Sequence, residues 1–259
     1  MTLRERFRDW RHRVYGFNIY NRRKWVARCA ARLPAGTRVL DVGAGTGQYR
    51  PLFAHCEYRA QDLGKEPQTI GQYTPLDFQC DILDIPAADG SFDAIVCTEV
   101  LEHVPEPIRA VHELARLLRP GGAMLLTAPL LSIPHQEPYH FYGGYTEHWY
   151  RRFLDEAGCD VLAIDRNQGF FSLCSDFTQW FQALLHPGRT RTQPPGRRAA
   201  LLLLWLASFP MVRVAGPLGR WLDGIGLGEV GTAGYHVLAA RRGAPPLLAA
   251  ADGEGRSRG

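Results

Sequence analysis

The chain has 259 residues, 46% of them hydrophobic and 22% charged, with a formal net charge of +4. That is the balance of a globular protein with one full α/β core and an appended segment, and it excludes a disordered polyelectrolyte. The six cysteines form no C-x-x-C pair and no even ladder, so a reduced, cytosolic compartment is expected.

The first ten residues, MTLRERFRDW, are charged and lack an apolar run, so no secretory signal is expected there. Leu3, Phe7, Trp10 and Val14 recur at helical spacing and predict an amphipathic helix. Residues 1–28 carry nine basic side chains against Glu5 and Asp9, which points to an anionic partner or to a solvated helix face. A second helix is expected from Asn21 to Leu33, so that residues 1–34 form a basic N-terminal segment. RVLDVG, from Arg38, reads as a strand that ends in a glycine turn, with a short helix near Gln48 to Ala54. Glu57 to Gln61 is a second strand ending at Asp62, FQCDIL holds a short third, and Phe92 to Val100 is an apolar fourth. A helix over 106–118 stops at Arg119-Pro120-Gly121-Gly122, and the strand AMLLTAP follows. Tyr145 to Ala157 is the next helix, CDVLAIDR the next strand and Gly234 to Arg242 the last. Strands alternating with helices imply βαβ units and a parallel sheet. The core thus spans 35–242, with an insertion at about 170–233 and a tail, 243–259, of disorder-like composition.

The glycines of VLDVGAGTGQY limit the ligand. A P-loop needs Lys after its last glycine, and none follows Gly47. The dinucleotide fingerprint read from Gly43 needs glycine where Gln48 stands. D-x-G-x-G-x-G fits a zwitterionic amino acid better. Backbone without Cβ at Gly43, Gly45 and Gly47 admits it closely, and Asp41 can position its cationic amino group. Asp62 can accept from two ribose hydroxyls, although dinucleotide enzymes use an acid at a similar offset. Asp81 can accept from an adenine amino group while Ile82 packs on the ring. Thr98 and Glu99 end the fourth strand in the same crevice.

VLDVGAGTGQY, CDILDIPAADGSFDAIVCTEVLEHV and LARLLRPGGAMLLTAP resemble the class I S-adenosylmethionine-dependent methyltransferases, in the group with an L-E-H-V segment after the fourth strand. The likeness covers about Arg38 to Asp165. It implies a Rossmann-like seven-stranded sheet with helices on both faces and the last strand antiparallel. It also implies S-adenosyl-L-methionine contacts from Asp41, Gly43, Gly45, Gly47, Asp62, Asp81, Ile82 and Thr98, with Asp84 an alternative to Asp81.

His103, just past the fourth strand, is either a base near the transferred methyl or a structural hydrogen-bonding group. The loop HQEPYHFYGGYTEHW follows the fifth strand. Pro138 inside H-x-E-x-x-H forbids a zincin-type helical pair, so no metal is expected. The loop resembles the H-E-x-P-x-[DH]-[FY] loop of bacterial methyltransferases for cell-envelope, glycan and secondary-metabolite acceptors, which makes His135 the expected base and His140 and Tyr145 acceptor contacts. In the insertion, Ala199 to Val212 is apolar or small throughout and is preceded by Arg189, Arg191, Arg197 and Arg198. Pro210 and Arg213 argue against a longer apolar helix. The segment reads as a lid or homodimer element, or as a helix in a membrane interface at the inner face. The expected function is O-methylation of a small or lipid-linked acceptor, a glycan or specialised metabolite. An RNA methyltransferase and a non-catalytic cofactor-binding scaffold are the alternatives.

Overall fold

The computed structural model describes residues 3–65 and 72–249, with side chains from residue 9 onward. Among the described residues there are seven strands: β1 Arg38–Val42, β2 Glu57–Asp62, β3 Phe78–Gln79, β4 Phe92–Thr98, β5 Leu118–Pro129, β6 Cys159–Arg166 and β7 Gly234–Arg241. Six helices accompany them: α1 Leu3–Tyr15, α2 Phe17–Ala30, α3 Pro107–Leu117, α4 Glu147–Glu156, α5 Phe170–Leu184 and α6 Pro195–Gly224. Two compact units divide the chain. One joins the N-terminal residues up to Asn21 with Arg166–Ala233, and the other joins Arg22–Asp165 with the chain from Gly234 onward. The boundary expected at residue 34 therefore falls at Asn21, inside α2. The reason is packing: Trp25, Val26 and Cys29 of α2 are buried against Val39, Val96 and Leu125 of the sheet.

The sheet unit has strand order β3-β2-β1-β4-β5-β7-β6. β1, β2, β3, β4 and β5 run parallel, and β7 pairs antiparallel with β5. The expected seven-stranded mixed sheet is what forms. Val39, Leu40 and Val42 are fully or almost fully buried, because a strand covered on both faces must be apolar throughout. On one face Leu40, Ile95 and Leu126 pack with Val111 and Leu114 of α3. The opposite face packs on α2. Sheet order reverses between β1 and β4, which opens a crevice at their C-terminal ends, where open α/β sheets bind ligands.

Three local expectations are corrected. The helix expected near Gln48 is a single 3-10 turn, Arg50–Phe53. Arg119 to Gly122, read as a stop between helix and strand, lies within β5, where Leu118 already pairs with Phe92 before a register shift. The tail is not loose from Gly243: Leu248 is buried in the second core cluster and the Leu247 amide donates to the Gly121 carbonyl. Residues 250–259 of that expected tail lie outside the described residues, as do the side chains of Leu3 and Phe7.

In the helical unit, Asp223 near the end of α6 accepts from the amides of Gly169, Phe171 and Ser172 at 3.2, 3.1 and 2.9 Å. It thereby caps the N-terminus of α5. A Cβ on Gly219 would stand 2.5 Å from the Phe171 carbonyl oxygen, so glycine there lets α6 lie against α5. α6 runs for 30 residues straight through Pro210 and Pro217. The expectation that Pro210 and Arg213 argue against a longer apolar helix is overturned. Continuous apolar character and the close fit to α5 outweigh the missing amides, a case of tertiary packing overriding propensity.

Candidate active site

The turn after β1 supplies the cradle. Gly43, Gly45 and Gly47 adopt φ of +67°, +51° and +71°, a region that side chains rarely enter. At Gly43 a Cβ would lie 2.3 Å from Val100, whereas at Gly45 nothing lies within 4 Å. Gly43 is thus a packing requirement and Gly45 an open approach to the backbone. Asp62, at the end of β2, accepts from the Gly45 amide at 3.0 Å and from the Gly64 amide at 2.9 Å. It ties the turn to the second strand and keeps lone pairs for further donors.

Asp41 is 2% exposed, and Tyr58 on β2 donates to it at 2.5 Å. Burial pushes its carboxyl up to about 7, opposed by the Tyr58 hydrogen bond and by Arg50. Thr98 is buried at the end of β4, in register with Thr127. Asp81 is exposed two residues beyond β3, and its Oδ1 accepts from the Leu83 amide at 3.0 Å. Asp84 is also exposed. Ile82 is a core residue with a 7% exposed edge left to meet a ring. Asp41 and the glycine turn thus stand at the end of β1, and Asp62 at the end of the neighbouring β2, on one side of the sheet.

Beyond β4 the chain makes a 3-10 turn, Leu101–His103, and the loop after β5 folds over it. Amides of Phe141 and Tyr142 donate to the Glu102 carbonyl, and the Tyr142 hydroxyl donates to the Pro105 carbonyl. This clamp gathers three histidines that the sequence separates. Ring centroids of His103, His135 and His140 stand 4.7 to 5.7 Å apart. Nδ1 of His103 lies 2.5 Å from the Tyr139 carbonyl oxygen, and Nδ1 of His135 lies 2.9 Å from that of Ile133. A carbonyl only accepts, so each Nδ1 carries a hydrogen, and Nε2 is the nitrogen that bears the lone pair whenever the ring is neutral. Burial, then His135, lowers the pKa of His140 and keeps it neutral. Its Nε2 is buried without a hydrogen-bond partner, as is Oε2 of Glu102. Burial, then Glu99, raises Glu102 well above the usual carboxylate range.

Glu102, His103 and His135 each offer a donor atom within 4.8 Å of the others, a set with the chemistry to hold a cation. The Pro138 argument tested only a helical pair and did not see this cluster of two segments. Tyr145 is 3% exposed and donates to the Leu101 carbonyl at 2.7 Å, so it supports the 3-10 turn.

Arg22 escaped the sequence, and Glu99, which the sequence placed in the crevice, has partners it did not give. Arg22, counted among the N-terminal basic residues, is 8% exposed and pairs with Glu99 at 2.9 Å while donating to the Tyr49 hydroxyl at 3.2 Å. Glu99 holds a left-handed φ of 53° and accepts from Thr127 Oγ1 at 2.9 Å. Nothing local marks Arg22, but a non-glycine residue at a strand's end before L-E-H-V was already in view.

A family model described as a methyltransferase domain matches residues 4–183. The chain is 39% identical over 109 residues to a ubiquinone biosynthesis O-methyltransferase of Xanthomonas axonopodis, covering 38% of this chain and 46% of that protein. It thus spans about half the length of the curated relatives it matches. Among solved structures, a Galdieria sulphuraria protein provisionally described as a sarcosine dimethylglycine methyltransferase aligns with TM-score 0.53, 18% identity and 85% of each chain. The [4+2]-cyclase SpnF aligns with TM-score 0.52, 22% identity, 84% of this chain and 79% of its own. At those identities the likeness shows the fold alone. With the family model matching well over half its length, a Rossmann-like sheet and a glycine cradle that fits the cofactor, this chain belongs to the class I S-adenosylmethionine-dependent methyltransferases.

Proposed function

We propose that the protein transfers a methyl group to an oxygen of a small or lipid-linked acceptor, such as a glycan or specialised metabolite, at the cytosolic face of a membrane. One observation carries the choice of oxygen: the convergence of His103, His135 and His140 beyond β4 and β5. An amine needs mainly orientation, whereas a hydroxyl must lose its proton as the new bond forms. A relative named for O-methylation in ubiquinone biosynthesis supports the same atom.

S-adenosylmethionine, when bound, supplies an activated methyl and its own leaving group. The chain contributes placement. Asp41, Gly43, Gly45 and Gly47 hold the amino-acid end, Asp62 the ribose, Asp81 and Ile82 the adenine, and Thr98 the floor between them. His135 Nε2 takes the acceptor's proton, its tautomer fixed by the Ile133 carbonyl. His140 lies beside it and contacts the acceptor, while His103, held by Tyr139, backs the pair. His135→Ala should lower turnover about 100-fold and leave cofactor affinity within about twofold. Unchanged turnover would remove His135 as the base.

The proton transfer needs no cation. Enzyme stripped with EDTA should keep its rate; one zinc per chain, lost in His135→Ala along with activity, would overturn this.

A further inference from the structure

We propose that α5 and α6 form a monotopic membrane anchor whose exposed apolar face sits in one leaflet of an anionic bilayer. This deepens the functional reading, since it names the surface where the acceptor is met, but it stands on separate observations. α6 is about 45 Å long, and over its most apolar stretch only 11% of residues are buried. Leu203, Val214 and Trp221 are 67%, 60% and 60% exposed, and Trp180 and Phe181 of α5 are exposed beside Leu184. Single exposed leucines are ordinary, but a continuous face of this size marks an interaction surface.

Topology says how such a helix meets a membrane. From Ala199 to Gly219 the only charge is Arg213, and that stretch is long enough to cross the hydrocarbon core, roughly 30 Å. Yet β6 and β7, which bracket the insertion, lie in one sheet. Both ends of the insertion must therefore be on the same side. α5, with 15 residues and Asp176 within it, reaches only about 22 Å and cannot bring the chain back across. A crossing is excluded, and a helix lying in the interface remains.

Charge selects the occupant. From Leu184 to Leu222 there are six arginines and no acidic residue. The nearest acid on α6, Asp223, is engaged by three amides of the α5 terminus. A second copy of this face would bring arginines towards arginines, whereas anionic headgroups complement them in the interface. A cavity of about 1130 Å³ among α1, α5 and α6 has Trp10, Tyr15, Trp205 and Phe209 in its walls, together with Arg11 and Arg213. That pairing of aromatic surface with guanidinium suits lipid.

The test is flotation of the full-length protein with vesicles of phosphatidylcholine containing about a quarter phosphatidylglycerol, alongside pure phosphatidylcholine and sedimentation of the vesicle-free protein. Expected results are binding to the anionic vesicles, several-fold weaker binding without phosphatidylglycerol, and quenching of tryptophan emission by bromine-labelled lipid. Leu203→Glu and Trp221→Glu, both on exposed positions, should each lower partitioning about tenfold with cofactor affinity unchanged. No binding to anionic vesicles, or a tight dimer that Leu203→Glu dissociates, would overturn the proposal. Neither result touches the methyl-transfer reading, because no cofactor or acceptor enters the measurement.

Discussion

Asp41 shows how one buried side chain can set a pH dependence. Its carboxyl, held near 7 by burial, is largely protonated in slightly acidic solution. A cationic amino group prefers the carboxylate, so binding must expel that proton when the pH is below 7. Cofactor affinity should therefore rise with pH, by up to about tenfold per unit, and level off above about pH 7. Calorimetry at pH 6 in buffers of different ionisation enthalpy should detect proton release. Asp41→Asn should bind about tenfold more weakly at pH 8 and lose the slope. A slope that survives the substitution would assign the proton to another group. The glycines and carboxylates of this site were legible in the sequence because their demands are local: Gly45 needs its left-handed φ wherever the chain goes next. Arg22 was not, since its partner Glu99 comes from a distant segment and only folding reveals that its charge is spent inside.

At the scale of elements, the clearest device is Asp223, which reaches from the last turn of α6 to cap α5. Asp223→Ala removes an acceptor from three amides and should destabilise the helical unit by about 1–2 kcal/mol. Because the sheet has its own core, limited proteolysis should open the α5–α6 connection first, while cofactor affinity holds. Equal loss in both units would show that they unfold as one. The order of the strands was legible, and the bounds of β1, β2, β6 and β7 nearly to the residue, because an alternation of buried parallel strands and amphipathic helices is written in periodicity; the early start of β5 was not. β6 and β7 begin where their apolar runs begin. α6 was misread at Pro210 because a proline's cost is visible in sequence and the compensating fit at Gly216 and Gly219 is not. The histidine cluster was half legible. Each ring follows a strand that points at the crevice, but the clamp of Phe141 and Tyr142 on the Glu102 carbonyl, which draws them together, is a property of the fold.

The whole molecule joins a sheet unit with complete chemistry to a helical unit with an apolar face, and the two should respond to different ligands. In the proposed reading, cofactor contacts come from β1, β2, β4 and the turns that follow them. Occupancy at about 100 times Kd should add about 2.7 kcal/mol to whatever must open to release it. Hydrogen exchange should then slow in Val39 to Gly47, in β2 and in β4, with little change from Phe170 to Leu184. Anionic vesicles should do the reverse, slowing exchange across α5 and α6 and sparing β1. Native proteins open in separable cooperative units, and the chain divides into two compact units at Asn21 and Arg166. Uniform protection by either ligand would mean a single cooperative body, in which lipid contact and cofactor binding are coupled. Protection confined to one unit by each would mean that the anchor fixes where the enzyme works without altering how its site holds the cofactor.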